Sequence, residues 1–191
     1  AAQVVFEQLR AAGDHGEDVS YGLALALFEQ GTSVVRARGA VGSDYAKLQQ
    51  AADLLKPLVY GADPSRRVRQ LYGDDLNYRS HAQSNEKGIE SCKEGRKVLA
   101  DLGALDLSDL DAASSYADTA DSQARYHLAL NQIDAAQKLE QQVYDLAEKV
   151  LAQRPSDLHS LLNRALAADV LSQVAERRHD DATAADYARR E

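Results

Sequence analysis

The stretch LLNRALAADVLSQVAERRHDDATAADYARR spans residues 161–190 and decides the fold. It contains no Gly, no Pro and no alternation of β-branched residues, so its period is that of a helix rather than a strand. Ala165, Ala168, Ser172 and Ala175 recur at steps of three, four and three. That spacing puts four small side chains on one helix face, where a second helix can approach closely. The polar run around His179 and Asp180 interrupts the pattern, and a new helical stretch begins near Asp181. Helix, short turn and helix make an antiparallel pair. A pair alone cannot bury its apolar face, so it needs neighbours of the same kind.

The neighbours are present upstream. Ala113, Ala117, Ala120 and Ala124 form a matching stripe. Turn and capping signals divide the chain into nine helical segments. The first covers about residues 1–12 and stops at GDHGED; the second covers 19–38 and stops at GAVGS. Ser43 or Asp44 opens the third, which carries Leu48, Ala51, Ala52 and Leu55 on one face and ends near YGADPS. Pro57 inside it is expected to kink or shorten it. Ser65 caps the fourth, to about 84, and the fifth covers 87–102. Ser108 caps the sixth, to about 130, and Asp134 opens the seventh, which ends before Pro155. Ser156 caps the eighth, to about 178, and the ninth starts near Asp181. The reading is an all-α single domain over residues 1–191, with about four antiparallel helix pairs.

Composition bounds the function. The chain has 191 residues, 45 % hydrophobic, enough for one core. A formal net charge of -8 argues against nonspecific binding to nucleic acid or to an anionic membrane, which needs a basic footprint. The single cysteine, Cys92, has no internal disulfide partner and leaves the compartment open. No apolar run reaches the length of a membrane span, and no signal peptide is visible, so no membrane insertion is expected within this segment. The chain has no Met and both ends read as mid-helix, so it is expected to be a fragment of a longer protein. Apolar residues of the end helices, such as Val4, Val5 and Phe6, are then expected to drive self-association.

Short motifs recur. DLNYRSHAQSN, from Asp75 to Asn85, and DSQARYHLALN, from Asp121 to Asn131, share the pattern D-x-x-x-R-x-H-x-x-x-N at a separation of 46. KVLA occurs at Lys97–Ala100 and Lys149–Ala152, and PS at Pro64–Ser65 and Pro155–Ser156. Recurrence at fixed separation is the mark of a repeat architecture.

The final segment resembles a tetratricopeptide repeat. Leu171 and Ser172 stand where that family has adjacent large and small residues, followed by Ala175, the turn His179–Asp180 and Ala184, with Tyr187 one place early. The preceding unit matches through Ala120, Ala124, the turn NQID and Ala136, and Pro155 stands at the closing proline. The likeness is strongest from Asp109 onward and weakest over 19–60; Asp74 and His127 depart from it. Units spaced by 43 to 52 residues imply helices longer than those of the usual repeat. The resemblance implies a right-handed α-solenoid superhelix that binds a protein or peptide partner, and the Ala-rich tone is similar to tetratricopeptide segments of bacterial signalling proteins such as protein kinases. A sensory domain that binds a small ligand and regulates an attached enzyme is the alternative.

In this family the first helix of each pair lines a concave groove. Carried over, the groove-facing residues are Arg36, Asp75, Arg79, Asp121, Arg125 and Asp169, with Thr32 and Gln173 beside them. An Asp and Arg ladder would fork onto carboxylates and take basic groups. The plainer reading is a set of helix-surface pairs at i, i+4, worth about 0.3–0.5 kcal/mol each. His81 and His127 read as packing residues, Cys92 as a small core residue, and the HDD and DHGED runs as turn and cap chemistry rather than metal ligands. Arg66, Arg67 and Arg69 crowd a helix start, where the macrodipole disfavours cations, which hints at an anionic partner. No Gly-rich phosphate loop, nucleophile elbow or HExxH occurs, so neither a cofactor nor catalysis is expected.

Overall fold

Helix is the only regular structure among the described residues of the computed structural model, which are 2–38 and 42–189; the side chains of 34–38 and 42–44 lie outside that description. The order is α1 Ala2–Ala11, α2 Glu17–Arg38, α3 Gly42–Val59, α4 Arg66–Ser80, α5 Asn85–Ala100, α6 Leu110–Ala129, α7 Ile133–Gln153, α8 Leu158–Arg177 and α9 Asp181–Ala188. Every expected segment is present.

The starts differ by a residue or two. Asp109, not Ser108, caps α6, accepting from the Ala112 N–H at 3.0 Å. Asp157, not Ser156, caps α8, accepting from Ser160 at 2.8 Å. A carboxylate at the cap also meets the positive end of the helix, so Asp prevails over the adjacent Ser. Pro57 does not shorten α3, which runs on to Val59. In a last turn its missing donor and ring clash matter least.

Each helix packs on its chain neighbours. In addition α2 meets α4, α4 meets α6 and α6 meets α8 along their backbones, whereas among the described residues odd-numbered helices meet one another only through long side chains, Lys56 of α3 with Glu94 of α5 and Tyr187 of α9 with Gln141 and Tyr144 of α7. The even-numbered helices therefore form a row of their own. Three apolar clusters run through the stack: Leu23, Leu27, Leu55, Val68 and Tyr72 join α2, α3 and α4; Leu99, Tyr116, Val143 and Val150 join α5, α6 and α7; Leu128, Leu139 and Val174 join α6, α7 and α8.

Burial repeats with a period of its own. All seven buried residues of α4 (Val68, Leu71, Tyr72, Gly73, Asp75, Leu76 and Ser80) have a buried counterpart 48 positions on: Tyr116, Thr119, Ala120, Asp121, Gln123, Ala124 and Leu128. In α5, Gly88, Ser91, Cys92, Gly95, Val98 and Leu99 map in the same way onto Ala136, Leu139, Glu140, Val143, Leu146 and Ala147. The pairs α4–α5 and α6–α7 thus share one burial pattern at an offset of 48 residues.

Ion pairs bind the N-terminal ends of the even row. Arg66 forks onto Asp109, with Nη2–Oδ1 at 2.8 Å, and reaches Asp111, which also pairs with Arg154 at 3.0 Å. Arg67 pairs with Glu17 and Asp18 and lies over the Tyr21 ring. Two of the three arginines crowded at the start of α4 are thus used inside the molecule. Arg66 and Arg67 face acids at neighbouring helix starts, where the macrodipole favours negative charge.

Candidate functional site

The 48-residue period decides which side chains share a face. Arg79 donates from Nη1 to Gln49 Oε1 of α3 at 3.0 Å. Arg125 instead binds Asp121 through Nε at 2.9 and 3.0 Å, and its field reaches Glu140 of α7 and Asp169 of α8. The two arginines do not share one face. The counterpart of Arg79 is His127, and the counterpart of Asp75 is Gln123. A motif separated by 46 is two residues out of step, and at about 100° per residue this turns the side chains about 200° around the helix.

The other ladder residues follow from this. Asp75 is 0 % exposed and neither of its oxygens has a hydrogen-bond partner, so burial lifts its pKa well above the ordinary carboxylate range. It is a core residue between α4 and its neighbours rather than a groove residue. Asp169 is half-buried and accepts from Gln173 at 2.9 Å. Thr32 is buried, and the side chain of Arg36 lies outside the described residues. Asp121 is buried beneath Arg125, and beside it Glu140 is fully buried with no partner for either oxygen. Burial and the neighbouring Asp121 carboxylate push the Glu140 pKa up to about 10.

The open face of the even row is built from other residues. On α6, Tyr116 and Gln123 face α5 through Arg96, at 2.7 and 2.8 Å, and Asp121 faces Glu140 of α7. Asp118 and Ser115 fall on the remaining side, between α4 and α8. There Gln70 of α4 donates to Ser115 Oγ at 2.7 Å, and its amide also reaches Asp74 at 3.3 Å. Asp118 meets His159 Nε2 of α8 at 2.9 Å. Gln70, Asp74, Ser115, Asp118 and His159 thus form one polar strip across three helices. The strip is electronegative: hydrogen bonding and attraction from Asp118 raise the His159 pKa, with Asp157 and Asp74 adding to it. Next to His159, Leu158 is 80 % exposed and Leu162 is 54 % exposed.

Sequence reasoning missed Gln70, Asp118, His159 and Glu140. The first two stand 48 apart in equivalent places, a signal hidden because the residue types differ.

The remaining candidates are structural. Cys92 is fully buried, and desolvation pushes its thiol up to about 11, away from nucleophilic use. His81 touches the Tyr126 hydroxyl at 3.2 Å, while His127 contacts Gln123 and Gln132. Among the described residues no group of three or more His, Cys, Asp or Glu side chains is placed to hold a metal ion. His179 adopts φ 59 in the α8–α9 turn and Asp180 caps α9, which accounts for HDD. Asp14 caps the Gly16 N–H at 3.0 Å, and Glu17 and Asp18 pair with Arg67, which accounts for DHGED. No helix is long and apolar enough to cross a membrane among the described residues.

A separate cleft of about 650 Å³ lies between α1 and α2, lined by Phe6, Tyr21, Gly22 and Leu25, with Glu29 and Arg67 at its polar positions.

Compared with protein-family models, with curated proteins and with solved structures, the chain matches none.

Proposed function

We propose that this chain is a non-catalytic recognition module that binds a protein or peptide along the open face of α4, α6 and α8. The observation that carries the reading is the polar strip from Gln70 to His159, which crosses three helices and ends beside two exposed leucines. A surface that combines exposed apolar residues with fixed polar groups is suited to partner binding. The row of touching even helices and the recurring burial support a tetratricopeptide-like solenoid, in which this row would be the concave side.

The test is selection of binding peptides from a displayed random library, followed by amide chemical-shift mapping. The expected perturbations fall on 70–77, 115–122 and 158–166. Perturbations confined to α5 and α7, or a library that yields no binder, would refute the reading.

A second reading, a small-ligand sensor, draws on the cleft between α1 and α2, whose volume of about 650 Å³ is that of a drug-sized site. A ligand there would raise the unfolding temperature by mass action.

A further inference from the structure

We infer that the partner segment carries a basic side chain, seated on Asp74 and Asp118, next to an apolar side chain, seated on Leu158 and Leu162. This deepens the reading above and rests on it.

Charge on the open face decides the first half. Arg66 and Arg154 are already engaged by Asp109 and Asp111, and Arg125 by Asp121. Burial raises the Asp74 pKa and the neighbouring Asp118 carboxylate adds to it, and the base near them is His159, ion-paired to Asp118. Asp74 is held only by neutral donors, Gln70 and Ser115. Two carboxylates against one imidazole leave a place for a second cation. A lysine or arginine arriving there would gain charge-assisted hydrogen bonds while Gln70 and Ser115 keep the carboxylates oriented.

Apolar exposure decides the second half. Leu162 is one helical turn from both Leu158 and His159, so it adjoins each of them on the surface of α8. Neither belongs to any of the three apolar clusters of the fold. An apolar side chain laid across both would remove their surface from water while its basic neighbour reaches Asp118. The same electronegative strip disfavours an acidic segment.

Three peptides of equal length test this by titration: one of Lys and Leu, one of Glu and Leu, one of Lys and Ser. The Lys–Leu peptide is expected to bind at least about tenfold tighter than either other. The double variant Asp74→Asn, Asp118→Asn, which keeps side-chain shape, is expected to remove most of that preference and its salt dependence. Leu158→Ser with Leu162→Ser, at exposed positions, is expected to weaken the Lys–Leu peptide and leave the Lys–Ser peptide unchanged. Equal binding of the Glu–Leu peptide, or unchanged affinity in the Asn variant, overturns the assigned chemistry while library-selected peptides still mapping to the face leave the recognition reading intact. Peptide perturbations that avoid α4, α6 and α8 overturn both.

Discussion

Glu140 shows what burial does to a single residue in this fold. It is sealed between α6, α7 and α8, with the Asp121 carboxylate in front of it and no donor for either oxygen. Arg125 only partly offsets this, because its Nε is committed to Asp121. The unfolded chain releases the Glu140 proton near pH 4, whereas the folded chain holds it to about 10. Between those values the native state binds the extra proton, so rising pH favours unfolding, by up to about 1.4 kcal/mol per unit from this group alone. Glu140→Gln keeps the shape and removes the proton. Urea denaturation is expected to show no gain for the variant near pH 4 and a gain of at least about 2 kcal/mol at pH 8. Equal stabilities across that range would show that Glu140 is not held neutral. The sequence revealed Asp121 and Arg125 through their local i, i+4 spacing. It could not reveal Glu140, whose character depends on how α7 packs against Asp121 of α6, and whose counterpart, Cys92, is of a different type.

At the scale of elements, the crossing of α4 and α5 depends on two glycines. A Cβ on Gly95 would lie 3.2 Å from the Gly73 carbonyl oxygen, and one on Gly73 would lie 2.7 Å from the Leu99 side chain. The two helices touch there backbone to backbone. Gly95→Val is expected to cost about 1–3 kcal/mol, since the obstacle is main chain and overpacked helices must separate. A denaturation midpoint equal to that of the wild type would show that the crossing is loose. Helix number and approximate bounds were legible in the sequence because caps and apolar periodicity are local signals. The register between units was not. Gly73 pairs with Asp121 and Cys92 with Glu140 across units, so equivalent positions share burial but not chemistry. The shared chemistry of D-x-x-x-R-x-H-x-x-x-N therefore pointed to the wrong alignment.

For the whole molecule, two apolar-bearing surfaces among the described residues bear on its associations. One is α1, where Val4 and Val5 are each more than half exposed. Sedimentation velocity is expected to show association that grows with concentration and is weakened about tenfold by Val5→Glu, as an exposed apolar patch implies. A concentration-independent monomer would assign that edge no such role. The other surface is the open face of the even row, and its identity depends on the 48-residue register. Lysine scanning tests that register most directly. Gln70 and Asp118 are equivalent on the open face, and Asp75 and Gln123 are equivalent in the core. In urea denaturation, Gln70→Lys and Asp118→Lys, at half-buried positions from which a long side chain can reach water, are expected to cost no more than about 2 kcal/mol. Asp75→Lys and Gln123→Lys are expected to cost more than about 3 kcal/mol or to prevent folding, because each buries an unpaired cation. Tolerance of lysine at Asp75 together with collapse at Gln70 and Asp118 would contradict the register and the face built on it.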